Sequence, residues 1–301
     1  MRIKSIVIAL TVVATLVTCP GSYRALMAEA APAAPATVNS DAKVLKVDLG
    51  QGVSFEMARV EPGEYMMGSP LAEKSRAEDE NARRVRITKP FYLGRYEVTQ
   101  EVWRRVLEAD IPNYKSRWPG ILSYPGASPS KFTGKGYPVD NVCWIDCREF
   151  LDRLNALVAG GSFRLPTEAE WEYACRAGTR TVFAFGDDPA LLGDYAWYKD
   201  NSDAKPRAVG AKLPNSWGLY DMYGNVWEWC QDKYDGPYSF GTADVVDNYY
   251  NKSGELGDLK QVIRGGSWFF DALYCRSANR CGFDPWHRDN DNGLRLARTI
   301  E

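Results

Sequence analysis

After Gly178 the chain loses its regular hydrophobic period. From residue 179 to residue 301 it offers turn clusters, aromatic side chains and only short strand candidates, Val262-Ile263-Arg264 and Leu294-Arg295-Leu296. A half this long and irregular must be held by something other than repeated secondary structure, and disulfides or bound cations are the usual devices. The chain is 45% hydrophobic and 13% aromatic, enough apolar surface to order a backbone, so intrinsic disorder is excluded.

The preceding residues read more simply. Residues 44–59 alternate weakly and predict short strands, and Glu61-Pro62-Gly63-Glu64-Tyr65 predicts a turn into a strand at Met66-Met67-Gly68. The charged run from Ser69 to Arg84 reads as a solvated loop, and Val85 to Tyr96 as a strand pair broken at Pro90. Thr99 is placed to cap a helix from Gln100 to Glu108 with Val102, Trp103, Val106 and Leu107 on one face. Residues 111–140, rich in Pro, Gly, Ser and Tyr, predict a long ordered loop. Trp144, Cys147, Phe150, Leu151, Leu154, Leu157 and Val158 recur at helical spacing and predict a second helix, stopped by Gly160-Gly161. Thr167 and Glu170 form a capping-box pattern that starts a third helix, with Trp171, Ala174 and Cys175 inward and Gly178 at its end. Nothing after residue 44 marks a boundary or a repeat, so residues 44–301 are expected to form one domain.

Residues 1–30 are expected to be a secretory signal peptide: Arg2 and Lys4, then an uncharged apolar run from Ser5 to Thr18, then Ala28-Glu29-Ala30 as a cleavage site. A lipoprotein at Cys19 or a retained anchor is the alternative. Residues 31–43 begin with an Ala/Pro-rich stretch and read as a linker. The expected location is secreted or periplasmic. Loss of the leader leaves Cys143, Cys147, Cys175, Cys230, Cys275 and Cys281, an even number that suggests disulfides in an oxidising compartment. A net charge of -2 supplies no basic field for nucleic acid. A mean hydropathy of -0.39 excludes a polytopic membrane protein. The single histidine, His287, rules out a three-histidine metal centre within the chain.

Several segments carry more identity than composition does. They are Met67-Gly68, Tyr96-Glu97-Val98-Thr99, the run from Arg164 to Tyr173 (RLPTEAEWEY), and the run from Pro214 to Trp229 (PNSWGLYDMYGNVWEW). Arg264-Gly265-Gly266-Ser267-Trp268, Cys275 to Arg280 (CRSANR) and Asn292-Gly293-Leu294-Arg295-Leu296 follow. In this order the chain resembles the formylglycine-generating enzyme (sulfatase-modifying factor) superfamily over about residues 53–298. The resemblance implies a compact α+β domain with little regular secondary structure, related to C-type-lectin-like folds. It implies bound calcium. In the family's oxidases it implies copper on two cysteine thiolates and a polypeptide substrate, a sulfatase, whose cysteine becomes formylglycine.

For calcium, the resemblance implies Asp221 and Glu228 side chains with the Gly224 and Val226 carbonyls, a hard oxygen set suited to that ion. The family's second calcium position falls on Trp197, with Asn201 and Asp203 in a turn nearby. For copper, the two expected positions are Phe270 and Cys275, so one of the two sulfurs is absent. Linear cuprous coordination by thiolates needs both. Ser267 and Trp227 match positions near the family's substrate groove. The resemblance also implies a Cys175–Cys281 disulfide. Cys230 and Cys275 both fall in segments lining the family's active-site region and are read as a disulfide or, alternatively, as a metal-binding dithiol. Arg276 and Arg280 are expected as structural ion-pair partners, and His287 as a surface residue. Asp284, Asp289 and Asp291 are read as loop acids able to hold a cation.

Two functions follow. One is an exported oxidoreductase acting on a Cys or Ser side chain of a sulfatase or other polypeptide, with Phe270 in place of one of the two sulfurs that copper-dependent activity needs. The other is a non-catalytic, calcium-braced scaffold that binds a polypeptide or glycan outside the cytoplasm.

Overall fold

In the computed structural model the described residues are 43–117, 126–234, 236–237, 245–246 and 260–300. Three small sheets and four helices share them. The expected leader, and the linker apart from Lys43, lie outside this set. No described helix is long and apolar enough to cross a membrane.

The first sheet has five strands in the order β1-β2-β5-β12-β6: β1 (Val44–Asp48), β2 (Ser54–Val60), β5 (Phe91–Gly94), β12 (Ala297–Thr299) and β6 (Phe163–Arg164). All its pairings are antiparallel. Strand β12 lies between β5 and β6, so the first and last described strands share one sheet. The second sheet, in the order β10-β9-β7-β11, contains β7 (Trp227–Lys233), β9 (Gln261–Arg264), β10 (Arg280–Phe283) and β11 (Asn292–Gly293). Here β11 runs parallel to β7, with Asn292 opposite Trp227 and Gly293 opposite Glu228. The third sheet pairs β3 (Gly63–Met67), β4 (Arg83–Ile87) and β8 (Val245–Val246).

The helices form where local signals are strongest. Thr99 caps α1 (Gln100–Leu107), accepting from the Val102 amide at 3.3 Å. Helix α2 (Trp144–Leu157) turns Cys147, Phe150, Leu151 and Leu154 inward, and the Trp103 and Phe150 rings stack between α1 and α2 at 4.8 Å. In α3 (Glu168–Arg176) the capping box is complete: Thr167 Oγ1 accepts from the Glu170 amide, and the Glu170 carboxylate accepts from the Thr167 amide at 2.9 Å. The left-handed residue that ends α3 is Ala177, at φ 46°, with Gly178 following at φ 89°. The short α4 (Leu192–Tyr195) follows a 3-10 turn at Pro189–Leu191.

Two expectations are corrected. Leu294-Arg295-Leu296 is not a strand; β11 and β12 flank it, and it is extended around a fully buried Arg295. The charged run from Ser69 to Arg84 is not simply a solvated loop. Glu80 within it is buried, and its carboxylate accepts from Ser69 Oγ and from both terminal nitrogens of Arg276. A buried acid without such a partner would have to give up its charge.

The core has two apolar clusters. One gathers α3, Tyr223, Cys230 and Cys275; the other gathers α1, α2, Trp227, Trp229 and Leu294. Buried ion pairs stitch the segments between them: Arg176–Glu172 at 2.8 Å, Arg280–Glu168 at 2.8 Å, Arg295–Glu228 at 2.6 Å, and Arg264 with Glu172. Arg276 and Arg280 are thus structural partners, as expected.

Candidate functional site

The implied calcium loop leads into β7 and is wholly buried. Asp221 and Asn225 hold left-handed backbones at φ 55° and 57°. A Cβ on Gly224 would stand 2.3 Å from the Trp197 carbonyl oxygen, so only glycine fits there. Asp221 Oδ2 accepts from the Gly210 amide at 2.6 Å, while Oδ1 is buried without a partner. Glu228 is held by Arg295, whose Nε donates to both oxygens and whose terminal nitrogen donates at 2.6 Å, and by the Trp171 indole at 2.6 Å, so three N–H donors face a carboxylate with about four acceptor sites. A third acid, Glu97, accepts from the Val226 amide at 3.0 Å and from Asn225 Nδ2 at 2.6 Å. Burial pushes Asp221 up to about 6. Burial, then Asp221 and Glu228, push Glu97 well above the usual carboxylate range.

An orphaned buried oxygen, and three carboxyls facing one guanidinium, fit a cation with oxygen ligands. No three His, Cys, Asp or Glu side chains form a ready-made metal cluster among the described residues. The implied set instead depends on Asp221 and Glu228 with the carbonyls of Gly224 and Val226. The second calcium position does not fit. The Trp197 ring there is flanked by the charged heads of Arg207 and Lys212, 5.3 and 4.0 Å from its centroid. Asn201 spends its amide on Tyr198 and Ala196, and Asp203 pairs with Arg207.

The implied copper site is built on a Gly-Gly turn. Gly265 and Gly266 have φ of 100° and 76°, and a Cβ on Gly266 would meet Cys275 Sγ at 2.7 Å. Cys275 is fully buried, and burial pushes its thiol far up. No second sulfur stands at the partner position. The Phe270 ring packs edge-on to Trp227 at 5.5 Å and lies 5.0 Å from Tyr274. One buried thiol, with a benzyl ring in place of the second sulfur, does not fit cuprous copper.

All six described cysteines are free thiols. The implied Cys175–Cys281 bridge is not formed: Cys175 sits in the α3 cluster, and Cys281 packs on the other. Cys230 and Cys275 share the α3 cluster and are also unbridged.

Ser267 and Trp227 do come together with Phe270. Ser267 Oγ donates to Asp291 at 2.6 Å, and the Trp227 amide donates to the Asp291 carbonyl at 2.7 Å. The Trp227 indole N–H is buried without a partner. Asp291 is pushed up to about 6 by burial, and nearby Asp140 to about 7, by burial first and then by Asp291. Asp284 and Asp289 are exposed, and the Asp289 charge adds to the upward push on Asp291. His287 is half-buried, stacked on Phe283 at 4.7 Å.

Sequence reasoning gave Glu97 and Asp140 no role. Glu97 sits between Arg95 and Thr99 and Asp140 beside Asn141, so neither stands out in apolar sequence and no local signal marks it.

Beside the Cys275 turn lies a groove of about 660 Å³, lined by Pro70, Lys74, Val182, Phe183, Ala272 and Leu273 among others. Leu71, Phe269 and Leu273 stand out nearby, 81%, 61% and 53% exposed.

Comparison with known proteins agrees with the order of the motifs. A family model described as "Sulfatase-modifying factor enzyme 1-like domain" matches residues 50–300. The chaperone protein LppX of Paenibacillus barcinonensis is 25% identical over 82% of this chain and 90% of its own length. The formylglycine-generating enzyme of Streptomyces coelicolor is 32% identical over 59% of this chain, and the match spans 58% of that enzyme. The structure of PvdO from Pseudomonas aeruginosa superposes with a TM-score of 0.70 at 27% identity, covering 89% of this chain and 99% of PvdO.

Proposed function

The chain belongs to the sulfatase-modifying factor enzyme 1-like family, and on that premise we propose that it is an exported, calcium-braced protein that binds polypeptide segments without copper oxidation. The observation that carries this reading is the Phe270 ring against Trp227, where a thiolate pair would need its second sulfur. A single buried thiol offers neither the ligand number nor the charge that a cuprous ion requires.

The groove supports the binding half. It runs beside the turn from Ala272 to Cys275, is lined by apolar and polar groups together, and has a volume typical of ligand clefts. The apolar side chains of Leu71, Phe269 and Leu273 give an extended segment something to anchor on. The formylglycine-generating enzymes among the relatives suggest the polypeptide class of ligand. The apolar leader, Ser5 to Thr18, supports export to the periplasm or medium. Asp221, Glu228 and the carbonyls of Gly224 and Val226 would hold the calcium, which supplies a rigid charge centre for the loop behind the groove.

The test sets the two activities side by side. The purified full-length chain is titrated with Cu(I) against a competing chelator and incubated with a cysteine-containing sulfatase segment and oxygen. Failure to bind copper and to form aldehyde, together with saturable binding of unstructured polypeptide that Leu273→Asp abolishes, is expected. Tight copper binding with aldehyde formation would return the oxidase reading.

A further inference from the structure

Glu97 lies outside the segment that carries the calcium ligands. It sits on the connection between β5 and α1, two residues before the Thr99 cap, and is buried. Its two oxygens go to two consecutive residues of the loop. Oε1 takes the Val226 amide at 3.0 Å and Oε2 takes Asn225 Nδ2 at 2.6 Å. Asn225 is tied on every other side too. Its amide donates to the Trp197 carbonyl at 2.7 Å, its carbonyl accepts from Trp268 at 2.8 Å, and its Oδ1 accepts from the Arg207 amide at 2.9 Å. Glu97 therefore grips the residues between and at the two carbonyl ligands, Gly224 and Val226.

Its charge is the second point. Most other buried glutamates have a guanidinium: Glu80 has Arg276, Glu168 has Arg280, Glu170 has Arg164, Glu172 has Arg176 and Glu228 has Arg295, while Glu149 takes the hydroxyls of Tyr114 and Ser116. Glu97 makes no such pair, and neither does Asp221, whose Oδ1 has no partner at all. Glu97, Asp221 and Glu228 as carboxylates against Arg295 alone leave two negative charges, the charge of one divalent ion. Both oxygens accept, a pattern that a carboxylate meets and that a glutamine, with one acceptor oxygen and one donor nitrogen, does not.

We propose that Glu97 is a positioning residue for the cation site, holding the Asn225–Val226 turn in ligand geometry and supplying, without ligation, one of the two charges that a divalent ion balances. The inference rests on the calcium reading above. Groups that orient ligands in this way typically change metal affinity by about 10- to 100-fold when removed.

The experiment is calorimetric titration of the metal-stripped full-length chain with CaCl2, for wild type, Asp221→Ala, Glu97→Gln and Glu97→Asp, with circular dichroism to verify folding. Wild type is expected to bind one Ca²⁺ and Asp221→Ala none. Glu97→Gln, close in shape but uncharged, is expected to bind at least about tenfold more weakly. Glu97→Asp keeps the charge on a shorter arm and should fall between wild type and Glu97→Gln. A wild type that binds no calcium sinks the calcium reading itself. A wild type that binds, with Glu97→Gln within twofold of it, sinks only the role of Glu97. Should Glu97→Gln not fold, Glu97→Asp decides: affinity equal to wild type overturns the assignment.

Discussion

Cys275 packs on the Gly-Gly turn, and the implied partner position carries the Phe270 ring in place of a second sulfur. Phe270→Cys restores the implied spacing, so the variant is expected to bind one equivalent of Cu(I) that the wild type does not, read by chelator competition. A variant that still ignores copper would mean that the burial holding the Cys275 thiol protonated, and not the missing sulfur, is the barrier. Asp140 gives the clearest pH signature. Burial, with Asp291 adding to it, raises the folded-state value to about 7 from an ordinary 3.8, against the pull of the Lys131 amide and charge. A carboxyl raised on folding holds its proton in the folded state longer than in the unfolded one. Its cost is therefore absent below about pH 4 and grows as pH rises to about 7. Asp140→Asn removes that cost while its carbonyl can still accept from Lys131. Denaturant midpoints should fall less steeply for the variant than for the wild type between pH 4.5 and 7.5, since the other raised carboxyls remain, with a gain of up to about 4 kcal/mol at the upper end. Equal slopes for the two proteins would show that Asp140 is ionised in the fold.

At the scale of elements, α3 shows how capping and ion pairing differ in weight. Thr167→Ala removes one side-chain acceptor at the helix start and is expected to cost about 1 kcal/mol. Glu172→Gln, one turn on, removes the partner of Arg176 and of the fully buried Arg264, and should cost about 3–5 kcal/mol because it strands charge away from water. Urea denaturation measures both, and the reverse order would refute this account of the core. The same helix explains what was legible in the sequence. Thr167, Glu170 and the inward Trp171, Ala174 and Cys175 are local signals within two turns, as are Thr99 for α1 and the apolar spacing of α2. The later strands carry no such signal. Strand β11 is two residues long and exists because Asn292 and Gly293 meet Trp227 and Glu228, far away in sequence. Leu294-Arg295-Leu296 mimics strand alternation, but its middle residue is buried to serve Glu228. The motif around Asp221 was legible as a loop; that Glu97 grips it from another element was not, since nothing local in Tyr96-Glu97-Val98-Thr99 announces a partner beyond residue 220.

For the whole molecule the question is what restrains a half so poor in regular structure. The six described thiols are unpaired, so covalent bridges do not do it here. The charged groups are better placed. Arg264, Arg276, Arg280 and Arg295 all come from the last forty residues and reach acids on α3, on β7 and in the loop after β3. The loop around Asp221 is tied to residues 97, 197, 207, 210 and 268 by hydrogen bonds, two of them to Glu97, that converge where three carboxyls share one guanidinium. A divalent ion there would tighten all of those segments at once, whereas a reducing agent would find nothing to cut. Bound calcium at about a hundred times its dissociation constant stabilises a fold by about 3 kcal/mol. For a domain of this size that moves the melting temperature by roughly 5–10 °C. Excess EDTA is therefore expected to lower the melting temperature by that amount, added calcium to restore it, and dithiothreitol to leave it unchanged. Asp221→Ala should melt at the EDTA-treated temperature and ignore both chelator and metal. A melting temperature that falls with dithiothreitol and not with EDTA would transfer the bracing from the cation loop to the cysteines, and with it the reason for Glu97, Asp221 and Glu228 to share one guanidinium.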